Sequence, residues 1–201
     1  MVFKMENIKE VLYVLLDEWT DFEYAYIATA IHYFGSERFK NRIVGVSKKA
    51  VTSIGGLTVT PDYDIEEAKR ADFDTLILIG GNTWKSAKSE ALDEFVKNTA
   101  MKGKTVAAIC NASAYLGTLG LLNDIDHTAN DLKDMKEWAG NAYTNEAGFK
   151  CNQAVSDKNI ITANGTAALE FGREVMRSMK LIPEEGIQQW YEFYKRGFYA
   201  E

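Results

Sequence analysis

Cys110 stands where a chain would place a nucleophile. It follows the apolar run Thr105-Val106-Ala107-Ala108-Ile109, which predicts a buried strand. It precedes Asn111-Ala112-Ser113-Ala114-Tyr115-Leu116, which predicts the start of a helix. A side chain presented on so sharp a strand-to-helix turn needs small neighbours two residues before and after it. Hydrolases that use serine there meet that need with G-x-S-x-G. Here Ala108 and Ala112 take those positions, giving small-x-Cys-x-small. The first N–H groups of the following helix face the sulfur and favour thiolate, so Cys110 is expected to be more reactive than Cys151. The competing reading is a buried, inert cysteine at a strand end, because free Cys packs as a small hydrophobe.

A cysteine nucleophile needs a group to manage its proton and donors for an oxyanion. The chain has two histidines. His32 lies inside a helical pattern beside Ile31 and Tyr33 and reads as structural or exposed. His127, in Asn123-Asp124-Ile125-Asp126-His127-Thr128, follows the nucleophile helix and is the better partner for Cys110, unless it is an idle loop histidine. Backbone N–H groups of Gly81 and Asn111 are the candidate oxyanion donors, since glycine permits close approach. Gly80-Gly81 can equally be a tight strand exit. Glu23, in Trp19-Thr20-Asp21-Phe22-Glu23-Tyr24, can face the same crevice from the first turn of a helix, whereas Asp21 fits the role of a cap.

These residues need a scaffold that brings strand ends together. Residues 10–16 (EVLYVLL), 42–46, 75–79 (TLILI), 105–109 and 159–163 (NIITA) read as strands. Helical spacing covers residues 22–34, with Gly35 as a stop, one turn at 65–69, and residues 89–101 and 111–121. A last core helix, capped by Thr166, runs to about Lys180. Residues 50–63 alternate around Gly55-Gly56 and suggest a hairpin extension. Strands that are continuous apolar runs and alternate with helices predict a parallel sheet covered on both faces, with ligands held at the strands' carboxyl ends. Three loops reach such ends: residues 17–23, residues 80–84 and the turn at Cys110.

With 201 residues, 46% apolar and 26% charged, the chain suits a single α/β domain. A net charge of −6 without a basic run argues against nucleic acid or an anionic membrane as partner. The apolar run at residues 11–16 is too short for a signal core or a membrane span, so a cytoplasmic protein with free thiols is expected. The tail from 183 to 201 holds Trp190, Tyr191, Phe193, Tyr194, Phe198 and Tyr199. Trp190, Tyr194 and Phe198 would share one helical face, packed on the domain or across a homodimer interface, or forming a lid.

Ala107-Ala108-Ile109-Cys110, Leu78-Ile79-Gly80-Gly81-Asn82, Asp21-Phe22-Glu23 and Thr162-Ala163-Asn164-Gly165-Thr166-Ala167, in their order along the chain, resemble the ThiJ/PfpI family. That family belongs to the class I glutamine amidotransferase-like superfamily and includes the parkinsonism-associated deglycase. The resemblance covers residues 9–181 and implies a flavodoxin-like three-layer sandwich with a C-terminal helical extension. It also implies that Cys110 is the elbow nucleophile, that Glu23 hydrogen-bonds its sulfur and that Gly81 and Asn111 form the oxyanion hole. His127 falls near the histidine some members keep beside the cysteine, and members are commonly dimers. Two features depart from the pattern. Asn111 stands where PfpI-like peptidases carry His, and no histidine follows His127 to supply the late His-x-Glu pair of glutamine amidotransferases. The expectation is a cysteine-dependent hydrolase or lyase acting on a small carbonyl, nitrile or amide-like metabolite, without cofactor or metal. The alternative is a redox-sensing or chaperone-like stress protein in which Cys110 is oxidised.

Overall fold

The computed structural model describes residues 8–199. In chain order the elements are β1 (Lys9–Val14), α1 (Asp21–Gly35), β2 (Phe39–Val44), β3 (Val51–Thr52), β4 (Thr58–Val59), α2 (Ile65–Ala68) and β5 (Phe73–Leu78). There follow α3 (Ala87–Glu90), α4 (Asp93–Met101), β6 (Thr105–Ile109), α5 (Asn111–Thr118), α6 (Leu132–Ala139), β7 (Ala154–Asp157), β8 (Ile160–Ala163), α7 (Ala168–Ser178) and α8 (Glu184–Arg196). Six strands form one sheet in the order β2-β1-β5-β6-β8-β7. The first five are parallel and β7 runs antiparallel to β8. The fold is therefore the expected flavodoxin-like α/β sandwich, closed on one side by an antiparallel edge strand that the apolar pattern does not announce.

Period-2 alternation assigns the strand side chains to two cores. Leu12, Val14, Leu76, Leu78, Val106 and Ala108 face one side, packed with Phe95, Tyr115, Leu116 and Met135. Val11, Tyr13, Leu15, Ile77, Ile79, Ala107 and Ile109 face the other, under Ile27, Ile31, Phe171 and Val175. Because both faces are covered, β5, β6 and β8 are almost entirely buried runs. Strand order reverses between β1 and β5, so their carboxyl ends part and leave a crevice at the sheet's switch point.

Several local expectations change. The helix expected over residues 89–101 is split into α3 and α4. Thr166 does not cap α7: its hydroxyl donates to Asn164 Oδ1 at 2.7 Å, and Ala167 holds the cap position. Asp21 does not cap α1 either. Its carboxylate accepts from Ser53 Oγ and, at 2.9 Å, from Gly55 N–H, tying the β3–β4 hairpin to the helix. The tail packs on its own domain, with the Trp190 ring against Tyr26 at 6.2 Å and Gly172 leaving room for the indole. Buried Glu170 on α7 accepts from Tyr191 Oη at 3.0 Å and Lys195 Nζ at 2.7 Å, clamping α8 in place. The face shared by Trp190 and Tyr194 does not extend to Phe198, because α8 ends at Gly197 (φ 87°) and Phe198 is exposed. Among the described residues no helix is long and apolar enough to cross a membrane.

Candidate active site

The turn from β6 to α5 holds Cys110 at φ 63° and ψ −130°, a conformation L-residues avoid at a cost on the order of 1–3 kcal/mol. Its surroundings hold it there. Cys110 N–H donates to the Ala163 carbonyl at 2.9 Å. The buried Ser113 hydroxyl lies 2.8 Å from the carbonyls of both Ala108 and Ala163, so it can staple α5 to β6 and β8. Small neighbours are needed all round, not only at Ala108 and Ala112. A methyl group on Gly80 would collide with the Glu23 carboxyl and with Cys110 Cβ, and one on Gly165 would stand 2.9 Å from the sulfur. Cys110 as a residue is half-buried.

Glu23 reaches this point from the first turn of α1 and is 1% exposed. Its Oε2 accepts from Gly80 N–H at 2.9 Å, and the carboxyl lies close enough to Cys110 for the two groups to shift each other's ionisation. Burial drives the carboxyl up to about 7, against the opposing pull of the Gly80 hydrogen bond and of Cys110. The thiol is also pushed up, first by burial and then by the charge of Glu23, while the Asn130 amide and the Asn111 N–H pull it down. That direction reverses the expectation drawn from the helix N-terminus alone. The N–H of Asn111 does pull the thiol down, but burial and a like charge outweigh it. Below about pH 7 both groups hold their protons. Above it Glu23 is a carboxylate beside a neutral thiol whose proton it can accept.

The two oxyanion candidates meet at the same turn. Gly81 is fixed by bonds on either side of it, Thr20 N–H to Gly80 O (3.0 Å) and Asn82 N–H to Glu18 O (3.2 Å), neither of which uses the Gly81 N–H. Its carbonyl accepts from Asn111 Nδ2 at 2.9 Å. Asn111 thus joins the elbow to the loop after β5 through its carboxamide. A Cβ on Gly81 would press into the backbone of Glu18 and Trp19, so this approach requires glycine.

His127 is not part of the constellation. It is completely buried, with Nδ1 2.9 Å from Ile125 O and Nε2 2.9 Å from Tyr143 Oη, and its ring packs edge-on against Phe149. Burial lowers its pKa, which keeps it neutral near pH 7. The place beside the sulfur belongs to Asn130 instead. Its Nδ2 lies 3.2 Å from Cys110 Sγ and its Oδ1 accepts from Gly165 N–H at 2.7 Å. Nothing in the sequence marks Asn130 except its position just before Asp131, the cap of α6. Asn130, Asn164, Gly165 and Thr166 line an opening of about 520 Å³. A roomier groove of about 770 Å³ lies between α1 and α8, but none of its lining residues touches the sulfur. The smaller opening is the one beside Cys110, since Asn130 bonds the sulfur and a Cβ on Gly165 would press against it. Among the described residues no three His, Cys, Asp or Glu side chains gather as a metal site.

Comparison with known proteins finds relatives along nearly the whole chain. A Bacillus subtilis protein named "Uncharacterized protease YoaZ" is 35% identical over 196 residues, which is 95% of this chain and 92% of that one. The crystal structure of the DJ-1 superfamily protein Atu0886 from Agrobacterium tumefaciens superposes with a TM-score of 0.84 at 32% identity, covering 94% of this chain and 98% of that one. The thiJ/pfpI family protein from Bacillus anthracis gives 0.85 at 30% identity, covering 94% and 92%. More distant relatives carry the names deglycase and glyoxalase. With the family's sequence model matching residues 9–178, the chain belongs to the DJ-1/PfpI family.

Proposed function

We propose that the protein is a thiol-dependent hydrolase or lyase acting on a small carbonyl, nitrile or amide-like metabolite. The observation that carries this reading is the pairing of Cys110, on a strained elbow, with a buried carboxyl driven up to about 7. Such a carboxyl is poised to take and return a proton near neutrality. Relatives named protease, deglycase and glyoxalase support chemistry at a carbonyl carbon. In the proposed sequence Glu23 accepts the thiol proton while sulfur bonds to the substrate carbon. The carbonyl electron pair moves onto oxygen, where the Gly81 and Asn111 N–H groups would hold it. Collapse expels the leaving group, which takes the proton back from Glu23. Where an acyl group remains on sulfur, water releases it with Glu23 again as base; with an aldehyde, which has no leaving group, the oxyanion takes the proton from Glu23 and a thiohemiacetal forms.

A panel of small aldehydes, glyoxal adducts, nitriles and amides, assayed with wild type and Cys110→Ser, tests the proposal. Turnover that Cys110→Ser abolishes is expected, and no turnover of any class by wild type would refute it. The redox reading is favoured by a free Cys110 that is only half-buried. It predicts selective sulfinate formation at Cys110 under mild peroxide with no turnover. A cytoplasmic location belongs to the same proposal.

A further inference from the structure

Asn130 approaches the sulfur from the loop that leads into α6, and its two bonds fix each other. A backbone N–H can only donate, so Asn130 Oδ1 must face Gly165 and the NH2 group must face Cys110. Flipping the amide would set donor against donor at Gly165. The support is rigid on both sides. Asp131 caps α6 by accepting from Asp134 N–H at 2.8 Å. The Gly165 turn is braced by Thr166 N–H donating to Asn164 Oδ1 at 3.0 Å. The groups around the Cys110 side chain are Glu23 from α1, Gly80 from the turn after β5 (against Cβ), Asn111 from α5, Asn130, and Gly165 from the turn after β8. Of these, Glu23 is the one whose side chain titrates, and the buried His127 imidazole is bonded elsewhere.

We infer that Asn130 is a positioning residue that holds the Cys110 sulfur with a donor unable to take or release a proton, leaving Glu23 as the thiol's one proton acceptor. This rests on the reading of Cys110 as the reacting thiol. An imidazole in that place could form an ion pair with thiolate and share the proton. A carboxamide supplies polarity without a second base. It favours negative charge on sulfur as the proton leaves for Glu23, and it fixes the direction from which sulfur attacks. Any leaving group that needs an acid must then take its proton from Glu23.

The test follows iodoacetamide alkylation of Cys110 against pH by intact mass, in a Cys151→Ser background. Wild-type Asn130, Asn130→Ala and Asn130→Asp are compared. Loss of a hydrogen bond to a developing charge should slow alkylation of Asn130→Ala at pH 7 by roughly tenfold. Asn130→Asp keeps the side-chain shape and the acceptor for Gly165, but turns a second carboxylate toward the sulfur. It should react more slowly still, with its half-maximal pH raised by about one unit or more. Superimposable pH curves for the three proteins would overturn the inference. So would a wild-type rate in Asn130→Asp beside a slow Asn130→Ala, because the tie to Gly165 would then be all that matters. Alkylation needs no substrate, so this result stands apart from success or failure of the turnover panel.

Discussion

Replacing Glu23 with glutamine should make the protein more stable in mild alkali and leave it nearly unchanged in mild acid. The carboxyl sits at about 7 in the fold, against 4.5 for an ordinary glutamate, because burial penalises its charge. The difference is about 2.5 pH units, and at about 1.4 kcal/mol per unit it amounts to about 3 kcal/mol. The sign follows from which state binds the proton more tightly. Between pH 4.5 and 7 the folded protein keeps a proton that the unfolded chain has released, so stability falls as pH rises through that window. Glutamine presents an oxygen to Gly80 N–H at the place where Oε2 now accepts at 2.9 Å, and it never ionises. At pH 8 Glu23→Gln should therefore exceed wild type by about 3 kcal/mol, which for a domain of this size raises Tm by roughly 6–12 °C. At pH 4.5 the gap should close to within about 0.5 kcal/mol. Urea denaturation of both proteins across that range measures the difference directly, with Cys110→Ser carried alongside to separate the thiol's own ionisation above pH 8. A pH-independent gap, or a variant weaker than wild type at pH 8, would refute the account of Glu23 as a buried carboxyl held against its solvation.

His127 and α8 give two further expectations. His127→Ala should cost about 2–4 kcal/mol, because it empties a fully buried site and removes one bond each from Ile125 O and Tyr143 Oη, which keep Asn145 as a partner, while the alkylation profile of Cys110 stays unchanged. A shifted profile in a protein of unchanged stability would put the imidazole back in the site. On the α1–α8 face, Phe22, Tyr33, Phe193 and Tyr194 are about half-exposed or more, and a second copy of the chain is the expected cover. Tyr33→Glu should therefore yield a monomer by sedimentation with its melting curve otherwise preserved. A wild type that sediments as a monomer at every concentration would dispose of the homodimer.

The parts of this molecule legible in its residues are those where one local rule decides. The TVAAI run before Cys110 is buried on both faces, and Ala108 and Ala112 are small where the turn is tight, so β6, α5 and the placing of Cys110 between them could all be found. β7 escapes notice because Ala-Val-Ser-Asp is a short, half-buried edge strand whose pattern is set by its pairing with β8. α6 carried a usable signal: Asp131 as cap, with Met135 and Ala139 four residues apart on its buried side. His127 looks like a polar loop residue until Tyr143 and Phe149, brought in from later in the chain, enclose it. Asn130 is harder still, since its role depends on a sulfur and a backbone N–H supplied by two other turns. The direction of the thiol's ionisation fails for a related reason. A helix N-terminus is read from one element, but the opposing charge arrives on α1.

The site therefore stores cost in several places at once, and the fold supplies the restraint. A positive φ at Cys110 and a carboxyl sealed from water at Glu23 are each unfavourable by a few kcal/mol. Together they approach the net stability of an ordinary domain. Neither can relax alone. The backbone at Cys110 is pinned to Ala163, with Ser113 placed to brace the same turn, and Glu23 is fixed to Gly80. The glycines at 80, 81 and 165 let these strained parts approach, since a methyl group at any of them would push against Glu23, the 18–19 backbone or the sulfur. Replacing the charge relieves the cost, as Glu23→Gln should show, but it also removes the group that would accept the thiol's proton. Stability gained at this position is thus expected to appear as activity lost, with the same buried carboxyl responsible for both.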